Sequence, residues 1–248
     1  MINENSPLVN EGEYELHRIR TEELISHEFG ISNKNKFTIV RPGIEYGPGD
    51  KEERIFLFTT VENQTYRYIG SGRNNYMFCY IGNLVDAAIL IQNNEKAFNQ
   101  IFIISDLNSY TITEIISTIA KKLEIKPPNR IWSRALFKRM IFPYRVYSVL
   151  FKKDTFVKKA MLDFSKIDFT CTIKKAQNEL NFKPRFNLKE GVSRTINWYR
   201  NEGFIETVKL NLEIKNNNIS MKKPSYRIKK YFNDFFQVLK RVDKILKS

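Results

Sequence analysis

Arg41-Pro42-Gly43-Ile44-Glu45-Tyr46-Gly47-Pro48-Gly49-Asp50 follows directly on Phe37-Thr38-Ile39-Val40. The four residues ahead of it read as a short buried strand. The chain therefore runs from a strand straight into a loop punctuated by Gly and Pro, which is where α/β enzymes hold their ligands. Pro42 and Pro48 fix φ, while Gly43, Gly47 and Gly49 allow backbone conformations or close approaches that a Cβ would block. Any strand-to-helix loop can carry such residues, so the neighbouring segments decide the reading.

Upstream, Leu16, Ile19, Glu23 and the Leu24-Ile25 pair recur at helical spacing and predict a helix over 14–29, stopped by Gly30. A short helix is expected over 53–62. Tyr66 to Ile69 and Tyr76 to Ile81 read as two strands around the turn Gly70-Ser71-Gly72-Arg73-Asn74-Asn75. A helix over 83–93, a strand from Ile101 to Ser105 and a helix from Thr111 to Leu123 follow. Thr111 with Glu114 three residues on forms a capping box. Pro127-Pro128 breaks the chain, residues 133–151 look helical around a kink at Pro143, and helices are expected over 172–181 and 188–202, the second ending at Gly203. Beyond it, Val208, Leu210, Leu212 and Ile214 alternate as in a half-buried strand, and Asn216-Asn217-Asn218 reads as a linker. From Pro224 onward Ile228, Tyr231, Phe232, Phe235, Leu239, Val242 and Leu246 repeat at helical spacing opposite a lysine-rich face.

The loop resembles the R-P-x-x-x-Y-G-P-x-D segment of the extended short-chain dehydrogenases/reductases, the NAD-dependent epimerase/dehydratase family. Three further segments resemble that family in its order. Tyr14-Glu15-Leu16-His17-Arg18 through Thr21-Glu22-Glu23-Leu24 is similar to its Y-x-x-x-K…A-E helix. Phe78-Cys79-Tyr80-Ile81-Gly82-Asn83-Leu84-Val85-Asp86-Ala87-Ala88 is similar to F-x-Y-V-D-D-L-V-x-A, with Gly82-Asn83 where the family has Asp-Asp. Lys174-Lys175-Ala176-Gln177-Asn178-Glu179-Leu180-Asn181-Phe182-Lys183-Pro184, then Leu188-Lys189-Glu190-Gly191, is similar to K-A-x-x-E-L-G-F-x-P…L-x-E-G-L, with Asn181 in place of Gly. The family's G-x-x-G-x-x-G turn does not occur in the sequence, and only thirteen residues precede Tyr14, against about 30 for one βαβ unit.

The resemblance implies an α/β fold: a partial Rossmann-like, doubly wound unit with the smaller C-terminal substrate-binding region of an extended short-chain dehydrogenase/reductase, plus a basic C-terminal helix. Residues 1–204 would be the C-terminal portion of such a protein, without the Gly-rich nucleotide-binding half, and residues 205–248 a basic strand/helix tail. It also implies NAD or NADP as cofactor. Tyr14 would be the acid/base, with Arg18 at the family's lysine position. Pro42, Gly43 and Ile44 would lie near the nicotinamide, and Tyr46, Arg73 and Tyr76 would border the substrate. In nucleotide-sugar enzymes of the family an arginine four residues after the turn's second Gly grips the diphosphate bidentately; here that position is Tyr76, with Arg73 close by. Residues 127–172 are similar instead to the variable substrate part of the 3β-hydroxysteroid dehydrogenase-like branch.

A phenol near pKa 10 is a poor base at neutral pH. A cation at i+4 favours phenolate, and Tyr14 and Arg18 have that spacing. Arg keeps the charge, but its planar fork cannot occupy the compact position of an ammonium. The same two residues also suit an exposed helix pair with no catalytic role.

Composition limits the remaining classes. Two cysteines, Cys79 and Cys171, cannot build a disulfide framework and fit a reducing compartment. The two histidines, His17 and His27, share one predicted helix and offer no metal cluster. No apolar run reaches the length of a membrane span and no signal-peptide core opens the sequence, so a cytoplasmic protein is expected. The net charge of +14 is concentrated: residues 129–160 hold nine Lys/Arg against Asp154, and residues 206–248 hold eleven against four acids, leaving −1 for the rest. Such aromatic, basic segments suit either docking on the protein's own core or contact with an anionic membrane. The expected partners are a small-molecule substrate, a second copy or a companion nucleotide-binding chain, and a membrane surface touched through residues 224–247. No zinc spacing, Gly-rich RNA-binding motif or helix-turn-helix signature supports nucleic acid. Two function classes stay open: an NAD(P)-dependent epimerase, dehydratase or reductase, and a non-catalytic remnant or subunit.

Overall fold

The computed structural model describes residues 1–8, 13–31, 36–51, 54–92, 94–139, 142 and 167–205. In chain order the elements are helix α1 (Glu13–Ile31), strands β1 (Thr38–Pro42) and β2 (Ile44–Tyr46), α2 (Ile55–Glu62), β3 (Tyr68–Ile69), β4 (Asn75–Tyr76), β5 (Phe78–Tyr80), α3 (Ile81–Gln92), a 3-10 turn (Glu95–Ala97), β6 (Gln100–Ile104), β7 (Tyr110–Thr111), α4 (Ile112–Lys122), β8 (Ile131–Trp132), α5 (Lys174–Leu180) and α6 (Leu188–Asn201). Residues 134–139 are also helical. These elements form two compact units, each gathered from separate stretches. One comprises Met1–Gly47, Asn75–Tyr110 and Phe169–Gly191; the other comprises Pro48–Asn74, Thr111–Asp168 and Val192–Ser248. The expected tail strand and helix lie outside the described residues, as does most of the expected 133–151 helix beyond residue 139.

The first unit is organised by parallel strand pairs. β1 runs beside β6 in register from Thr38↔Gln100 to Pro42↔Ile104, and β2 runs beside β5 from Ile44↔Phe78 to Tyr46↔Tyr80. The change of partner falls at Gly43, whose N–H still donates to Ile104 O at 2.8 Å while the next amide, Ile44, donates to Met77 O at 2.9 Å. A Cβ at Gly43 would sit 2.7 Å from Met77 O, so only glycine lets the two backbones approach this closely. The chain returns at 169–172, where Met77 N–H donates to Phe169 O and Thr172 N–H to Ile2 O. Parallel strands buried on both faces call for continuous apolar runs, and Phe102, Ile103 and Ile104 supply one. They pack with Met77, Cys79, Ala87, Cys171, Ile173, Ala176, Leu180 and Phe182 in a single core.

α5 closes that core and ends at Asn181, whose φ of 54° and ψ of 29° are left-handed. Asn is the residue other than Gly that visits this conformation most readily. That accounts for Asn181 standing where the resembled pattern has Gly. Arg41 ties β1 to its surroundings: its guanidinium binds the Glu22 carboxylate of α1 and donates to Glu4 O at 2.9 Å.

In the second unit α2 and α4 bury Ile55, Phe58, Val61, Ile115, Ile116 and Ile119, with Val192, Ile196 and Tyr199 of α6 also fully buried. The Phe58 and Tyr199 rings meet edge-on at 5.2 Å. The capping box at Thr111 and Glu114 is formed. The turn at Gly70 and Gly72 takes φ of 74° and 66°, and Gly72 O accepts from Thr113 N–H and Oγ1–H. The two strands expected on either side of this turn do not pair with each other. β3 lies parallel to β8, Tyr68↔Ile131 and Ile69↔Trp132, while β5 has taken β2. Local alternation marks a strand, but its neighbour is chosen by segments remote in sequence.

Candidate functional site

In a parallel α/β arrangement, ligands lie outside the carboxyl ends of the strands. Here those ends are Pro42-Gly43 after β1 and Ser105-Asp106 after β6. Asp106 is fully buried. Its Oδ1 accepts from Tyr80 N–H at 2.9 Å and from Asn83 Nδ2–H at 2.7 Å. Its Oδ2 accepts a long bond, 3.4 Å, from the Tyr46 phenol. Asn83, also fully buried, donates from Nδ2 to Phe186 O at 2.8 Å as well. Its Oδ1 accepts from the Arg185 and Phe186 amides, both at 2.9 Å. Every side-chain donor and acceptor site of Asn83 is thus used, and one side chain joins α3, the second residue after β6 and the 185–186 backbone.

The electrostatics follow from burial. Desolvation pushes the Asp106 carboxyl up to about 6, against the pull of its three donors. Burial raises the Tyr46 phenol, and the Asp106 charge raises it further. The Cys79 thiol is raised by the same two causes in the same order. Neither group ionises near neutral pH, so Asp106 is the member of this cluster poised to exchange a proton there.

The residues predicted from sequence fall as follows. Tyr14 and Arg18 lie one turn apart on α1, where Arg18 is exposed; the side chain of Tyr14 lies outside the described residues. Pro42 ends β1, Gly43 is buried at the change of strand partner, and Ile44 opens β2. Tyr46 and Tyr76 are 3% and 7% exposed. Tyr46 packs on Phe78 and Tyr80, with ring centroids 5.5 Å away in each case, and Tyr76 bridges to Phe169. Both are core residues in this structure. Arg73 is exposed in the second unit, its amide 3.3 Å from Ser71 Oγ. The first unit thus gathers Pro42, Gly43, Ile44, Tyr46 and Tyr76 with the helix that carries Tyr14 and Arg18; Arg73 belongs to the other. Sequence reasoning passed over Asp106. The available signal was an acid directly after an apolar strand, together with an Asn where Asp-Asp was expected at 82–83. Among the described residues no group of three or more His, Cys, Asp or Glu could hold a metal ion. None of the described helices is long and apolar enough to cross a membrane.

Parallel strand pairs with helices between them, and a Gly/Pro loop at the strand ends, define a Rossmann-like α/β protein. A solved UDP-glucuronic acid 4-epimerase from Bacillus cereus, in complex with NAD, shares this fold with a TM-score of 0.61 and 15% identity, over 81% of this chain and 56% of that one. No protein-family model matches. Among curated proteins, the UDP-glucose 4-epimerase of Vibrio cholerae is 30% identical over 162 residues, 63% of this chain and 44% of the relative. The 3beta-hydroxysteroid-dehydrogenase/decarboxylase isoform 1 of Arabidopsis thaliana is 25% identical over 170 residues, 63% of this chain and 39% of the relative. The chain is similar in sequence to these epimerase and hydroxysteroid dehydrogenase relatives, and spans about half the length of the curated relatives it matches.

Proposed function

We propose that the chain forms the substrate-side part of an NAD(P)-dependent epimerase, dehydratase or reductase that acts in the cytoplasm on a sugar-like or hydroxylated small molecule. The observation that carries this reading is the order of elements around β1. A helix bearing Tyr14 and Arg18 comes first, then the strand, then Pro42-Gly43-Ile44 at its carboxyl end. Relatives named for 4-epimerase and for 3beta-hydroxysteroid chemistry support it.

A nicotinamide cofactor fits the described residues only in part. Pro42 and Ile44 flank the carboxyl end of β1, but the space a side chain would take at Gly43 is already filled by Met77 O and by Ser105 Cβ, 3.3 Å away. No Gly-rich strand-to-helix turn of the kind that cradles a pyrophosphate occurs among the described residues. Pro42, Gly43 and Ile44 would border the nicotinamide end, and the diphosphate would be held by other groups. Such a cofactor supplies hydride transfer when bound. Tyr14 exchanges a proton with the substrate hydroxyl at its phenol oxygen, and the Arg18 charge one turn on favours the phenolate.

Replacing Tyr14 with Phe in the protein isolated from its native source tests this. Turnover of nucleotide hexoses or 3β-hydroxysterols should vanish while nucleotide affinity and circular dichroism stay unchanged; undiminished turnover refutes the assignment. Arg18→Lys is expected to raise turnover, since the ammonium is more compact. The arginine at this position also favours a second reading, a non-catalytic subunit that binds a companion chain. Co-purification with a chain carrying G-x-x-G-x-x-G, and no turnover by either chain alone, would select it.

A further inference from the structure

Between Lys126 and Phe142 the sequence holds five Lys/Arg and no acid. The structure roots this stretch in the second unit at a few points. Tyr68 N–H donates to Arg130 O and Gly70 N–H to Trp132 O, both at 3.0 Å. Trp132 stacks on Phe137 with ring centroids 6.2 Å apart, and Phe137 is 4% exposed. Ser133 caps the helical turn that follows, accepting Leu136 N–H at 3.1 Å. The Arg134 guanidine is held over the turn at Gly70, where a Cβ would meet its Nε at 3.0 Å.

Several described residues of this stretch face water. Ile131 is 63% exposed and Phe142 66%, and Arg130, Lys138 and Arg139 are exposed as well. Phe137 is the buried member of the 134–139 turn, so most of this helix is left outside the unit's own core. Single exposed apolar residues are ordinary. Bulky ones set among cations, with no carboxylate in the stretch to balance them, are the makeup of an interfacial segment.

We propose that residues 130–139, together with Phe142, dock the protein on an anionic lipid bilayer from the aqueous side. Arg130, Lys138 and Arg139 meet the headgroup charge, while Ile131 and Phe142 enter the boundary between headgroups and acyl chains. Of the surfaces that could lie against it, an uncharged bilayer offers nothing to the cations, and a duplex would take Ile131 and Phe142 only by unstacking its bases to admit them. This surface is independent of the reading of Tyr14 and lies in the other unit.

Sedimentation of the full chain with vesicles tests the proposal. Binding is expected to phosphatidylcholine vesicles doped with phosphatidylserine, to be lost in pure phosphatidylcholine, and to weaken as salt rises. Arg130→Glu with Lys138→Glu and Arg139→Glu should lower the partition coefficient at least about tenfold, since each basic residue near such a surface contributes about 1 kcal/mol. Ile131→Ser with Phe142→Ser should lower it several-fold, and this variant keeps the test open if charge reversal disturbs folding, which thermal melting will show. Failure to sediment with anionic vesicles overturns the proposal, as does equal binding to neutral ones. So does undiminished binding by both variants, which would move the contact to another segment such as 224–247. Retention on duplex DNA without vesicle binding overturns it too. Loss of turnover in the Tyr14 variant would leave it untouched.

Discussion

Asn83→Asp alters one atom of a side chain whose every hydrogen-bonding site is used, and its consequence can be worked from the distances. The substitution puts an oxygen where Nδ2 now lies 2.7 Å from Asp106 Oδ1 and 2.8 Å from Phe186 O. Two buried carboxylates at that separation cannot both ionise, so the folded state retains a proton between them. In the parent protein the Asp106 carboxyl already stands at about 6, raised from 3.8 by burial. That difference corresponds to about 3 kcal/mol between protonation states. The folded state holds this proton more tightly than the unfolded chain does. Its contribution to stability is therefore complete below about pH 4 and is lost as pH rises through about 6. A second carboxylate stretches that window upward. The variant should be about 3–5 kcal/mol less stable than the parent near pH 8. Near pH 4.5 the shared proton remakes the contact and the loss should shrink to about 1 kcal/mol. Urea unfolding followed by tryptophan fluorescence at both pH values measures this. An equal loss at the two would refute the reasoning. Adding Asp106→Asn removes the second carboxylate and should recover part of the loss, the Phe186 O contact staying broken; strictly additive losses would show that the two side chains do not communicate.

At Gly191 a Cβ would lie 2.2 Å from the Tyr46 hydroxyl and 2.9 Å from Tyr80 Cδ2. Gly191→Ala should therefore cost about 2 kcal/mol, seen as a melting temperature lower by about 4–8 °C; an unchanged melting temperature would mean that the aromatic cluster yields freely. Thr111→Ala removes a hydroxyl that accepts Glu114 N–H at 3.2 Å and undoes the capping box. Its expected cost is about 1 kcal/mol, with faster amide exchange confined to the first turn of α4.

Elements set by short-range chemistry were legible in the sequence. The capping box at Thr111 and Glu114 predicted the start of α4, which spans Ile112–Lys122. Phe37 to Arg41 predicted a strand, and β1 covers Thr38–Pro42. Ile44-Glu45-Tyr46 reads in the sequence as part of a loop, because three residues between Gly43 and Gly47 carry no alternation long enough to register. It is a strand because Phe78-Cys79-Tyr80 lies beside it. The polar cluster was hidden for the same reason. Asn83 and Asp106 are 23 residues apart, and no local pattern announces that an amide and a carboxylate will be buried face to face. The departure from Asp-Asp at 82–83 was visible, but its reason was not. With Asp106 already supplying a buried carboxylate, an amide at 83 can donate where a second acid would repel.

The interleaving of the two units has a consequence for the order of events during synthesis. Ile2 bonds with Thr170 and Thr172, and β1 can find β6 only after about 60 further residues have left the ribosome. At about 5–20 residues per second, β1 waits about 3–12 s for β6, and Ile2 about 8–34 s for Thr170. Through that interval the edges of β1 and the apolar run destined for the core stand open, a nascent chain that chaperones would have to shield. No single cut of the backbone would release either unit whole.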